Sequence, residues 1–357
     1  MKTIMIAFRE ESQNGGPYNS HLRIMNSRLK EKYHFVPLIV PKGKMGLFNI
    51  KIIKSLVMQI RKTKPDAVQI IGLEMIGFYL ALSCKIAGVE KIILAIHGST
   101  TEAIAFNKNR IKKFIMERLE IFTIKSAYCT FGVSKYVKTI KNVEKYSKKY
   151  YGEIYNMLIE SSECYDRQMV EKELNIQHKK IVVVSTGRLT QEKGFDVLTE
   201  IIKHYKNNSS MVFVIAGEGI YKPIMEHELA EQINSGQVKL LGYRNDIAKI
   251  LSAGDIFVMA SYHETLCMSL MEAGQSGLAL LASNVGGMRE IVMENQNGYL
   301  IEPGDISGYI KKLDFLIENK EKLNQMKRSA KEIIHQNFSN SISIQKLDEL
   351  YLSVVGD

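Results

Sequence analysis

The run Lys179-Lys180-Ile181-Val182-Val183-Val184-Ser185-Thr186-Gly187-Arg188 decides the fold. Four apolar residues in unbroken succession, Ile181–Val184, read as a strand buried on both faces, as in a parallel sheet. Thr186-Gly187-Arg188 turns that strand into a polar loop. Similar runs follow at Met211–Ala216, Gln237–Leu241, Asp255–Ala260 and Leu278–Ala282, with helical stretches between them. The same alternation precedes it: Thr3–Phe8, helical His21–Lys32, Phe35–Val40, helical Ile50–Arg61, Ala67–Ile71, helical Phe78–Gly88 and Lys91–His97. Alternating strands and helices predict βαβ units and parallel sheets. A chain of 357 residues exceeds what one core serves. The expectation is an α/β protein of two doubly wound domains, residues 1–165 and 166–340, joined near 157–178.

Composition narrows the class. No apolar run approaches the roughly 20 residues of a membrane helix. Met1–Phe8 is short and is interrupted by Arg9-Glu10-Glu11, so it reads as a first strand of a cytoplasmic protein, not a leader. Cys84, Cys129, Cys164 and Cys267 are widely spaced, without the pairing of a metal or redox motif. Charge is uneven. Residues 1–165 carry 27 Lys+Arg against 13 Asp+Glu, and residues 166–357 carry 21 against 25. The basic excess therefore belongs to the first half. No helix-turn-helix, RNA-binding signature or aromatic-interleaved basic groove accompanies it, which argues against nucleic acid.

In doubly wound sheets ligands bind at the carboxyl ends of the strands, where helix N-termini offer N–H groups to phosphates, and with two domains the cleft between them is the expected place. The densest candidate is Ser261-Tyr262-His263-Glu264-Thr265-Leu266-Cys267-Met268-Ser269-Leu270-Met271-Glu272-Ala273-Gly274. Were the residues between Glu264 and Glu272 helical, their rise would separate the two carboxylates by roughly 12 Å, about the reach from a hexose across a diphosphate to a ribose. The N–H groups near Thr265 to Met268 would then face the phosphates. Ser261-x-x-Glu264 also matches a capping box, with Glu272 an ordinary helix-surface residue. The spacing alone leaves both readings standing.

Other loops follow strands in a fixed order. Gly187-Arg188-Leu189-Thr190-Gln191-Glu192-Lys193-Gly194 sets two cations on a glycine-bounded loop suited to a diphosphate. Ala216-Gly217-Glu218-Gly219 is a strand-to-helix glycine turn, and Leu241-Gly242-Tyr243-Arg244 is placed to bound a nucleobase pocket. Ser283–Glu290, with Gly286-Gly287, and Asn297-Gly298-Tyr299-Leu300 complete the series. This ordered set resembles glycosyltransferase family 4, the retaining group 1 glycosyltransferases of GT-B fold, closely over residues 179–305. The first half resembles the family more loosely, through Gly15-Gly16-Pro17, Ala95-Ile96-His97-Gly98, Phe131–Lys135 and Ile154-Tyr155-Asn156.

The resemblance implies two Rossmann-like domains facing across a cleft, with a final helix, about 341–357, packing back on the first. It implies that Glu272 binds the ribose, that Glu264 lies beside the donor sugar, and that Arg188 and Lys193 hold the diphosphate. Gly187, Gly217, Tyr243, Thr265, Leu266, Cys267 and Met268 would line the donor, the Gly15-Gly16 loop would approach it from the other domain, and His97 would face the sugar. By itself His97 reads equally as a structural histidine, and Ser99-x-x-Glu102 as a capping box. Thr265-Leu266-Cys267 departs from the Gly-Phe-Gly or Gly-Phe-Pro of many relatives, which leaves donor identity open.

The resemblance further implies a retaining transfer that needs no metal or other cofactor, and no Asp-x-Asp motif occurs. A UDP-sugar is the expected donor, and a cell-surface glycan or lipid-linked saccharide the acceptor. Residues 42–64 and 108–125 combine apolar positions (Leu47, Ile50, Ile53, Val57, Ile60; Ile111, Phe114, Ile115, Leu119, Phe122) with clustered Lys and Arg. That pattern suits peripheral docking on an anionic membrane, and equally a core face with solvated lysines. A nucleotide-sugar epimerase and a catalytically silent binding subunit are the competing readings. Product analysis with donor alone separates the first from a transferase.

Overall fold

The computed structural model describes residues 1–9, 16–42, 49–99, 110–159 and 165–356. The chain divides into two units, Met1–Met157 with Asn340–Asp357, and Leu158–Ser339. The break falls at Met157 rather than at residue 165, because Ile154 and Met157 are buried in the first unit's core.

Among the described residues the first unit has six strands: β1 (Lys2–Arg9), β2 (Tyr33–Val40), β3 (Ala67–Ile71), β4 (Ile92–Ile96), β5 (Cys129–Gly132) and β6 (Tyr150–Glu153). All pair in parallel, in the order β2-β1-β3-β4-β5-β6. The chain steps outward from β1 to β2 and then returns past β1 to β3, so the direction of winding reverses between β1 and β3. Right-handed crossovers put helices Ile50–Thr63, Met75–Ala87 and Arg110–Ser126 on one face of the sheet, and Gly16–Asn26 on the other. The first helix differs from its expected span of His21–Lys32. It stops at Asn26, where the Ser27 hydroxyl donates to Ile24 O (2.7 Å) and accepts from Leu29 N (3.3 Å), opening a separate 3-10 turn at Arg28–Glu31. The last helix, Asn340–Val355, belongs to this unit: Leu347, Leu350, Tyr351 and Val354 share a core with Ile4, Ile6, Phe8 and Ile93. Polar ties add to it, Lys346 Nζ donating to Glu153 Oε1 at 2.9 Å and Lys32 pairing with Asp348.

The second unit repeats the design with β7 (Ile181–Thr186), β8 (Met211–Ala216), β9 (Val238–Leu240), β10 (Ile256–Met259), β11 (Ala279–Ser283) and β12 (Gly298–Ile301), in the order β12-β11-β10-β7-β8-β9. The winding here reverses between β7 and β10. Ile181–Val184 stands at the centre, covered on both faces, which explains its unbroken apolar run. At the amino edge of this sheet Asp255 accepts two bonds from Arg167 (2.7 and 2.8 Å), one from Lys327 (2.6 Å) and one from Val182 N (3.0 Å). Burial pushes its carboxyl upward, but Arg167 and Lys327 outweigh burial and hold it below its usual range. This clamp ties two helices to the strand and lies at the edge away from the ligand-binding ends. Among the described residues no helix is long and apolar enough to cross a membrane.

Candidate functional site

The loops after β7 and β10 flank the point where the second sheet reverses, the position at which an open α/β sheet has its crevice. They carry the candidate charges. Lys193 Nζ donates to Glu264 Oε1 at 2.6 Å, joining residues 71 positions apart, with both side chains largely buried. Ser261 Oγ donates to the same carboxylate oxygen at 3.3 Å. Burial opposes the Lys193 charge most, yet the carboxylate of Glu264, together with Cys267, outweighs burial and the neighbouring Arg188 cation, and the lysine titrates above its usual value. Arg188 itself is exposed and makes no ion pair with a described residue. A second tie joins the loops, Tyr262 N donating to Glu192 O at 2.9 Å while Tyr262 Oη donates to Asp196 Oδ2 at 3.0 Å.

Two glycines allow this close approach. Gly194 has φ +72°, and a Cβ on it would lie 1.9 Å from Ala260 O. Gly217 has φ +152°, with a Cβ 1.8 Å from Gly187 O. The amide of Gly187 donates to Ala216 O (3.1 Å), that of Gly217 to Gly242 O (2.8 Å) and that of Leu189 to Glu218 O (2.9 Å), so the loops after β7, β8 and β9 form one knitted ledge. Tyr243 stands exposed on the last of them. Gly217→Ala combines a strained φ with a backbone collision that no side-chain shift relieves. It is expected to destabilise the second unit by about 3 kcal/mol, read from denaturant midpoints at unchanged m-value.

The helix after β10 begins later than the spacing predicts. It spans Met268–Gln275, with Cys267 in extended conformation as its N-cap. Thr265, Leu266 and Cys267 are thus a buried loop ahead of the helix, anchored by apolar packing. Two expectations fall with this. Only Met268–Glu272 has helical rise, about 6 Å, so the loop rather than a helix axis sets the separation of Glu264 from Glu272. Ser261-x-x-Glu264 is no capping box, because both residues precede the true N-cap. The first-turn N–H groups now belong to Met268, Ser269 and Leu270, and Glu272, half-buried, lies in the second turn. The amide of Gly287 donates to Glu264 O at 3.4 Å, bringing the loop after β11 alongside.

In the first unit, Gly16 opens its helix, whereas Gly15 and Glu102 lie outside the described residues. His97 follows β4 directly, half-buried, its ring edge-on to that of His21 at 6.2 Å. Sequence reasoning passed over His21, which lacked any motif. Its Nδ1 faces Ala7 O at 2.8 Å, and a carbonyl only accepts, so Nδ1 carries the proton. Nε2 then accepts from the Gln69 amide (3.1 Å), whose Oε1 accepts from Tyr351 Oη (2.7 Å) on the final helix. This directional chain suits neutral His21 only. Burial lowers His21 to about 4, and burial together with His21 lowers His97 to about 3, so both rings are neutral near pH 7. Ser99 likewise caps no described helix; its hydroxyl donates to buried Glu120, at 3.0 and 2.9 Å from the two oxygens, and the Asn142 amide also donates to that carboxylate at 3.0 Å.

Two doubly wound parallel domains in one chain, the second with cations and carboxylates at its reversal point, define a GT-B glycosyltransferase architecture. Solved structures of this fold superpose along the whole chain. Sucrose-phosphate synthase from Thermosynechococcus elongatus gives a TM-score of 0.84 at 14% identity, over 99% of both chains. Anabaena HepE in complex with UDP and glucose gives 0.78 at 17%, over 99% of this chain and 100% of that one. Residues 166–333 match the family model described as Glycosyl transferases group 1, and the chain is a glycosyltransferase that carries a group 1 domain in its second unit. It is similar to the UDP-Gal:alpha-D-GlcNAc-diphosphoundecaprenol alpha-1,3-galactosyltransferase of Escherichia coli, 27% identical over 86% of this chain and 81% of that protein. It is also similar to the N,N'-diacetylbacillosaminyl-diphospho-undecaprenol alpha-1,3-N-acetylgalactosaminyltransferase of Campylobacter jejuni, 30% identical over 54% of this chain and 50% of that protein.

Proposed function

We propose that the enzyme moves a hexosyl or N-acetylhexosaminyl unit from a UDP-sugar to a glycan or lipid-linked saccharide, with retention at the anomeric carbon, in cell-surface polysaccharide assembly. The observation that carries this reading is the Lys193–Glu264 pair at the reversal of the second sheet, beside exposed Arg188. The names of the relatives support the donor and acceptor classes, since both act on diphosphoundecaprenol-linked saccharides and the first takes UDP-Gal. Lipid-linked acceptors set the reaction at a membrane, with the enzyme peripheral on its cytoplasmic side.

In this reading the diphosphate lies against Arg188, Lys193 and the N–H groups at Met268–Leu270, which meet the charge that grows as the glycosidic bond breaks. No metal is needed, because these groups supply the positive field. Glu272 accepts hydrogen bonds from the ribose hydroxyls, Tyr243 borders the base, and Glu264 lies at the sugar, positioned by Lys193 and Ser261. The acceptor oxygen attacks the anomeric carbon from the face the diphosphate leaves, and the departing phosphate oxygen takes the acceptor's proton.

Thermal-shift measurements against UDP-, GDP- and ADP-sugars test the donor, since a ligand bound only by the folded state raises the Tm. A UDP-sugar is expected to stabilise the enzyme, and Glu272→Ala to weaken it by roughly tenfold to a hundredfold. Stabilisation by GDP- or ADP-sugars alone would overturn the donor, and an epimerised sugar released without acceptor would overturn the transferase mechanism. An inverted anomeric centre in the product, or a glycosyl adduct on Glu264, would overturn front-face transfer.

A further inference from the structure

Tyr262 makes a hydrogen bond on each side of Lys193 along the chain. Its amide donates to Glu192 O at 2.9 Å, and its hydroxyl donates to Asp196 Oδ2 at 3.0 Å. Between those two bonds Gly194 lies so close to Ala260 O that a Cβ would stand 1.9 Å from it. Residues 192, 194 and 196 therefore all meet the segment 260–262, and Lys193, within that span, reaches Glu264 two residues beyond Tyr262. The tyrosine ring is itself held. It packs, half-buried, against the core of the second unit, with Gly304 of the loop after β12 beside it. Burial, and after it Asp196, raises the Tyr262 hydroxyl to about 12, so it remains a hydrogen-bond donor throughout the neutral range.

Asp196 stands in the first turn of helix Phe195–His204 and accepts also from the Gln191 amide at 3.4 Å. Its second oxygen, Oδ1, is buried with no hydrogen-bond partner among the described residues. A helix start favours an acid, but a bare buried oxygen costs stability. What the carboxylate supplies in return is a fixed acceptor for Tyr262. We infer that Tyr262, acting through Asp196 and the Glu192 carbonyl, is a positioning residue for Lys193: it fixes the loop after β7 against the loop after β10, so that the ammonium and the Glu264 carboxylate are presented as one rigid pair. The role of that ammonium toward a diphosphate rests on the function proposed above.

Lysine needs such a device more than most residues. Its charge sits at the end of a flexible stem, and Glu264 holds only the tip. An ammonium tied at its tip follows whatever its loop does, so the backbone on both sides must be pinned before the charge is preorganised for a ligand. Phenylalanine at position 262 would keep the ring, its packing and the amide bond to Glu192, and would lose only the bond to Asp196.

Calorimetric titration of the full chain with UDP and with uridine monophosphate tests the role, because only UDP offers a second phosphate. Tyr262→Phe is expected to cut the preference for UDP roughly tenfold. The comparison background is Lys193→Met with Glu264→Gln, which strands no buried charge and should show at least the same loss. Adding Tyr262→Phe to that background should change the preference no further, since a residue that acts through the lysine then has nothing to position. Asp196→Asn, whose amide oxygen still accepts from Tyr262, should stay within about threefold of the parent, whereas Asp196→Ala should match Tyr262→Phe. A lower Tm in Tyr262→Phe with the UDP preference intact overturns the positioning role in favour of packing alone. Losses that multiply in the combined variant overturn it in favour of a contact between Tyr262 and the nucleotide that bypasses Lys193. A UDP preference that survives in the background variant instead sinks the diphosphate reading, and the positioning role with it.

Discussion

Lys193→Ala is expected to lower kcat/KM by about 10²- to 10³-fold, the usual loss when one preorganised charge facing a transition state is removed. Stability should fall as well, by about 2–3 kcal/mol, because the substitution strands the largely buried Glu264 carboxylate without its ammonium. The two losses separate in a double variant. Lys193→Met with Glu264→Gln removes the stranded charge, so its unfolding free energy should return toward the parent's while turnover stays low. Steady-state kinetics and denaturant unfolding read the two effects. Wild-type turnover in Lys193→Ala would remove this lysine from the site. A double variant as unstable as the single one would show that the pair serves packing, not charge compensation.

A second large effect is expected on acidification. His21 has an ordinary value of 6.5 that burial lowers to about 4 in the folded protein, while the unfolded chain protonates near 6.5. Between those values the unfolded state binds the extra proton, so stability is whole above about pH 6.5 and is lost as the pH falls toward 4. The shift corresponds to about 3 kcal/mol from His21. His97, lowered to about 3, adds a loss that starts at the same unfolded value and extends to more acid pH. Asp255 acts in a different window. Its stabilisation is present above the unfolded carboxylate value of 3.8 and disappears below it. Unfolding midpoints measured from pH 7 down to 5 therefore isolate the histidines, above the range in which Glu153 and Glu171 lose their own stabilisation. His21→Asn, which can still donate to Ala7 O, should flatten about half of that slope, with His97 carrying the rest. An unchanged slope in this variant would place the acid sensitivity elsewhere.

Much of the fold is legible in short stretches. Ile181–Val184 needs two covered faces, Ile92–Ile96 the same, and the polar loops that follow strands have nowhere to go but the carboxyl edge. The candidate site is less legible, for a physical reason. Ser261 and Glu264 match a capping box because the pattern is local, but whether it acts as one depends on where the helix starts. Buried Leu266 and Cys267 hold the preceding segment extended and delay that start to Met268. His21 left no trace in its own neighbourhood, since its partners, Ala7, Gln69 and Tyr351, come from two strands and the last helix.

The amino-acid sequence alone determined the two α/β domains, the group 1 glycosyltransferase character of the second half and the one-sided distribution of charge. Those follow from apolar periodicity, from the order of loop motifs and from composition, all properties of neighbouring residues. Only the tertiary structure decided that Lys193 reaches Glu264, that Gly194 and Gly217 must lack a Cβ, and that Tyr262 bonds on both sides of Lys193. Strand order brings the first pair together across 71 positions, and the pairing of β7 with β10 sets their loops side by side. Both depend on contacts between segments distant in the chain, which local spacing does not encode.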